Sequence, residues 1–132
     1  MGNASIGGLK ALLASHVVEV VFVRRHDKAG RPKTRRMLCS NSRLLLDNIE
    51  AKIALGFRPP KGVGLPYDPN AKNLVVAWDI FMQDYRQIPV ESARVLSSMP
   101  IQNEEDLVNF WKYFNEQLSR MSASDKMQYM DK

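Results

Sequence analysis

Seven cations stand within thirteen residues of this sequence: Arg24, Arg25, Lys28, Arg31, Lys33, Arg35 and Arg36, with Asp27 the one acid among them. Like charges held close together repel. Phosphates relieve that repulsion, and each phosphate neutralised also releases counterions, which makes binding steeply salt-dependent. The chemistry on offer is recognition of an anionic partner, either nucleic acid or an acidic protein surface. If the segment is a hairpin, alternate side chains project to one face while the tip splays, so four or more of the cations converge on one surface. The competing reading is a solvated edge hairpin whose charges guard it against aggregation. Arg58 and Lys61, in a later loop, add to the positive charge.

Other residue types are weighed against the same question. Tyr67, Trp78, Phe81 and Tyr85 are the aromatics that stack on bases if a strand of nucleic acid crosses here. Trp78 lies among Leu74, Val76 and Ile80 and reads as core, which leaves Tyr85 and Tyr67 as the better candidates. Arg86, near Asp84 and Glu91, suits either an anion or an internal ion pair. Asp79, Asp84 and Glu91 lack the paired arrangement, nucleophile or metal ligands that acid–base chemistry needs. Gly62-Val63-Gly64 is followed by no Lys-Ser/Thr and is no phosphate loop. His16 and His26 are isolated, and His26 reads as a further phosphate-facing donor. A non-enzymatic protein without metal or cofactor is the expectation.

The composition sets the frame for these residues. A chain of 132 residues, 45% hydrophobic and 25% charged, suits one globular domain. Its apolar runs fall far short of the ~20 residues a membrane helix requires. A single cysteine, Cys39, allows no internal disulfide, and no secretory signal is visible, so a cytoplasmic location is expected. The net charge of +5 is uneven. Residues 1–66 hold twelve Lys/Arg against four Asp/Glu, while residues 103–132 hold four against six. The positive field belongs to the first half.

The elements that must hold these residues follow from periodicity. Ser5–Ser15 reads as a short helix with Leu9, Leu12 and Leu13 on one face. His16–Arg24, dense in valine and broken only by Glu19, reads as a largely buried strand. Asp27–Pro32 is a turn, and Lys33–Cys39 returns as the second strand. Ser42–Leu55 has an amphipathic helical period, with Ser42 as cap and Gly56 as stop. Residues 57–72, with four prolines and two glycines, form a long loop. Asn73–Phe81, Tyr85–Ile88 and Ala93–Leu96 complete five strands. Asn103 caps a closing helix whose stripe runs through Leu107, Phe110, Trp111, Phe114, Leu118 and Met121. Packed against the sheet that stripe is core; undocked, it is a binding surface. Hairpin order of short strands with helices outside implies an α+β fold, a small, strongly bent antiparallel sheet or partly open SH3-like or Sm-like barrel. One domain over residues 1–121 is expected, with an insertion at 42–72, a C-terminal helix at 103–121 and a flexible tail at 122–132.

Three segments carry a family resemblance: VVFVRRHDKAGRPKTRRMLC, NLVVAWDIF and DYRQIPVESARVL. Together they resemble the small WYL-like proteins of tailed phages. Tyr85, Arg86, Ile88 and Glu91 stand at the closing positions of that pattern, and Ser92 stands where regulators of the family often carry arginine. The resemblance implies a barrel, a binding role without catalysis, and work in a bacterial host cytoplasm. Three functions follow as expectations: a phage accessory or regulatory factor that binds DNA or RNA, a module that docks on a host enzyme, and self-assembly through exposed edge strands.

Overall fold

The computed structural model describes residues 5–25, 33–48 and 69–129. Chain order is α1 (Ile6–Ser15), β1 (His16–Val23), β2 (Thr34–Ser40), α2 (Arg43–Leu46), β3 (Leu74–Asp79), β4 (Asp84–Pro89), β5 (Arg94–Pro100), α3 (Glu104–Arg120) and α4 (Ala123–Tyr129). The five strands form one antiparallel sheet in the order β4-β3-β2-β1-β5, and it does not close. The α+β class read from the sequence is therefore what the chain adopts.

Local chemistry accounts for the elements. Ser5 caps α1, its Oγ accepting from Gly8 N at 3.1 Å. A Cβ on Gly8 would come within 2.9 Å of that oxygen, so glycine keeps the cap intact. The β-branched run of β1 pairs with β2 from Val17↔Ser40 to Val23↔Thr34, and Arg24 N extends the ladder to Lys33 O at 2.8 Å. Turns at Asn73 and Gln83 require positive φ, 59° and 55°, which polar residues tolerate better than branched ones. Asn103 caps α3 with its side chain on Asp106 N at 2.9 Å, above three acids in the first turn.

Apolar side chains are buried on both sheet faces. Leu9 and Leu13 of α1 pack with Val18, Val20, Met37, Cys39, Val75 and Ile88. On the other face Leu107 and Phe110 of α3 pack with Val17, Leu38, Trp78, Ile80 and Ile101. Trp78 is core, 1% exposed. The α3 stripe is docked through Leu107 and Phe110, while Trp111, Phe114 and Met121 are half-buried and Leu118 is exposed.

The structure adds to several expected elements and redraws others. Expected to end at Leu96, β5 runs on to Pro100, because Val17–Glu19 offer ladder partners at Met99, Ser98 and Ser97. The expected flexible tail forms α4 as far as Tyr129, whose side chain is 8% exposed. A lone tyrosine at the end of a polar segment gives no periodic signal, so only its docking reveals the helix. The inserted helix starts where expected, with Ser42 as cap and Arg43–Leu46 helical; residues 49–68 of that insertion lie outside the described residues, and Asn70–Lys72 at its end form a 3-10 turn. Among the described residues, no helix is long and apolar enough to cross a membrane.

Candidate anionic-partner surface

The β1–β2 hairpin carries the residues singled out above, and the strands deal them to different environments. Arg35 and Arg36 are adjacent in β2, so their side chains leave opposite faces of the sheet. Arg35 stands opposite Phe22 and Arg36 opposite Val21. Beyond Cys39↔Asp79 and Ser40↔Trp78, β2 and β3 part. Arg35 occupies the opening. Its guanidinium binds the Asp79 carboxylate, donates to Tyr129 O at 2.9 Å, and is 2% exposed. Asp79 also accepts from Met82 N at 3.1 Å. Burial pushes the Asp79 carboxyl above its ordinary range, against the pull of Arg35.

Arg36 meets Glu19 at 2.6 Å. The second oxygen of Glu19 accepts from Tyr129 Oη at 2.6 Å, and the guanidinium carbon of Arg36 lies 5.1 Å from the centre of the Tyr129 ring. Burial and the bond to Glu19 push the Tyr129 phenol well up. These groups line a cleft of about 180 Å³ between the sheet and the C-terminal helices, with Phe81, Tyr113 and Asp125 on its walls. Arg36 Nε is buried and makes no hydrogen bond among the described residues.

At the outer end of the hairpin, Arg25 binds Glu91 through both carboxylate oxygens, with Nε to Oε2 at 2.9 Å. This pair is solvent-accessible, its side chains 34% and 46% exposed. The Arg25 guanidinium holds the Glu91 carboxyl below the usual carboxylate range. Ser92, beside it, accepts from Val23 N at 3.0 Å and so extends the contact of β1 with the turn before β5. Lys33 is exposed, and no ion pair forms on it among the described residues. Arg24 is half-buried at the base of the tip.

The expectation that four or more of the seven cations converge on one surface is narrowed by this geometry, which withdraws Arg35. Arg35 is interior and leaves the surface altogether. Arg36 faces the cleft under α4, matched by Glu19. Lys28 and Arg31, like Arg58, Lys61, His26 and Tyr67, lie outside the described residues. Tyr85 and Arg86 sit on β4, the strand at the other end of the sheet order from β5. Tyr85 turns its ring edge to Trp78 at 5.1 Å, and Arg86 pairs with Asp84 at 3.0 Å. Asp79, Asp84 and Glu91, the three carboxylates weighed for catalysis, each face an arginine.

What the sequence reading missed were the partners. A signal was present: Glu19 interrupts a buried strand, and Asp79 sits between Trp78 and Ile80. An acid in a buried strand needs a cation or several donors, since an unpaired buried charge costs far too much. Two buried acids should have withdrawn two cations from the hairpin. Cys39 is inert by the same logic of burial, its thiol fully enclosed and pushed up in pKa.

The fold and site thus define an open five-stranded α+β domain with internally matched cations and a cation-bearing hairpin end. No known protein family matches the sequence, no curated protein resembles it significantly, and no solved structure is significantly similar to the chain.

Proposed function

We propose that this is a non-enzymatic binding protein whose β1–β2 hairpin engages the phosphate backbone of nucleic acid through the end at which Arg25 and Lys33 stand exposed. One observation carries the reading: the ladder runs to Arg24 and Lys33, and the connection beyond them holds Lys28 and Arg31 with one acid, Asp27. The exposed Arg25–Glu91 pair is weak enough to exchange for a phosphate. Contacts of this kind favour backbone over bases, so sequence preference is low.

An SH3-like or Sm-like character fits the same proposal. Four strands meander, and β5 returns beside β1 after a short 3-10 turn at Val90–Ser92, an order from which a partly open barrel is built. On the WYL-like reading the protein is a phage accessory factor acting in the host cytoplasm.

The test is a fluorescence-anisotropy titration with a short labelled duplex across a range of salt. Four or five participating cations give a slope of log K against log salt of about −3.6 to −4.5, whereas all seven would give about −6.3. A slope near the larger figure means that Arg35 and Arg36 leave their carboxylates on binding. Absence of binding at about 50 mM salt removes the proposal.

A further inference from the structure

Between Thr34 and Met37, no strand among the described residues lies along the side of β2 away from β1, because β3 pairs with β2 only at Cys39 and Ser40. Such an edge presents unpaired backbone groups. Here α4 lies against β2 instead. Among the described side chains of residues 122–129, those of 122–126 are all exposed and that of Tyr129 is buried. Its hydroxyl donates to Glu19, its carbonyl accepts from Arg35, and its ring lies beneath Arg36 while packing on Phe81 at 5.2 Å. A helix of seven residues does not hold in water by itself, so α4 persists only while docked.

From these contacts we infer that α4 is a displaceable strap that holds the partly exposed Arg36 on Glu19 and covers the outer edge of β2, restraining the polyanion-binding hairpin. The inference rests on the reading of the hairpin given above and adds its regulation. With α4 in place, Glu19 is nearly buried, which makes its pair with Arg36 persistent. With α4 lifted, Glu19 and Arg36 both face water. An ion pair in water is worth little, so Arg36 then becomes available to a phosphate. Segments anchored by few buried contacts open with low free energy, far below that of the core strands.

The test uses the full chain in three forms: unmodified, Tyr129→Phe and Tyr129→Ala. Hydrogen exchange is read at the amides of residues 126–129 against those of β1. The expected result is fast exchange in α4 of the unmodified chain, faster in Tyr129→Phe and unprotected in Tyr129→Ala, with β1 protection retained. In the anisotropy titration, Tyr129→Ala binds duplex more tightly at low salt and its slope steepens by about 0.9, one added phosphate contact. Protection of 126–129 equal to that of β1 in the unmodified chain overturns the strap, as does an unchanged slope in folded Tyr129→Ala. Should Tyr129→Ala not fold, α4 exchange in Tyr129→Phe no faster than in the unmodified chain overturns it as well. If no form binds duplex, the hairpin reading fails while hydrogen exchange still decides whether the strap opens.

Discussion

Arg35–Asp79 and Arg25–Glu91 are chemically alike, a guanidinium on a carboxylate, and both arginines stand near the same end of one hairpin, one on β2 and one just beyond β1. The first is 2% and 0% exposed, the second 34% and 46%. In the interior neither partner has water to fall back on, so removing one leaves a charge stranded at a cost of several kcal/mol. At the surface water substitutes for either partner, and the pair contributes little. The same seven-cation segment therefore does two kinds of work. Arg35 secures the fold from within, whereas Arg25 stays open to solvent. Arg36–Glu19 lies between these limits, with the acid nearly buried and the arginine partly exposed.

Breaking the buried pair has the largest effect. Asp79→Ala strands Arg35 and lowers unfolding stability by about 3–5 kcal/mol, measured by urea denaturation. Replacing both partners with apolar residues of similar volume, Arg35→Met with Asp79→Leu, recovers most of that loss. If the single and double variants are equally unstable, Arg35 and Asp79 do not work as a pair.

Glu19→Gln comes next. It weakens charge-assisted hydrogen bonds to Arg36 and Tyr129 together, and a loss of about 1–2 kcal/mol is expected from the same denaturation curves. A loss as large as that of Asp79→Ala would move Arg36 into the interior class.

Glu91→Gln costs less than about 1 kcal/mol. Its pH dependence has a defined sign. The folded-state carboxyl is held below its ordinary range, so the pair stabilises at neutral pH and the benefit is lost as pH falls through that lowered value. The stability gap between unmodified protein and Glu91→Gln therefore closes in acid and stays constant above the ordinary carboxylate range. A gap that widened on acidification would refute the assignment.

The smallest change in stability belongs to Lys33→Gln, within about 0.5 kcal/mol. Its effect falls on binding, where the salt slope on duplex becomes shallower by about 0.9. A stability loss without a change in slope would place Lys33 with the buried Arg35 rather than with the exposed Arg25.

Much of the scaffold was legible because its signals are local. The density of valine and Phe22 gives β1, Ser5 and Asn103 announce the starts of α1 and α3, and Trp78 among apolar neighbours reads as core. The candidate site was legible as a charged hairpin but not in its division of labour. Arg36 finds Glu19 seventeen residues away, Arg35 finds Asp79 at forty-four, and Arg25 finds Glu91 at sixty-six. Tyr129 reaches Glu19 across 110 residues from a segment with no periodic signal of its own.

By itself, then, the sequence determined where β1 to β4, α1 and α3 form, that those four strands pair in hairpin order, and that the first half carries the positive charge. Those properties depend on spacing, propensity and composition, which are all written along the chain. Tertiary structure alone decided which cations are interior, which carboxylates meet them, and that the C-terminal segment docks beside β2. Burial and long-range pairing exist only once the sheet brings distant residues together, and the strength of each ion pair is set by the water that this arrangement excludes.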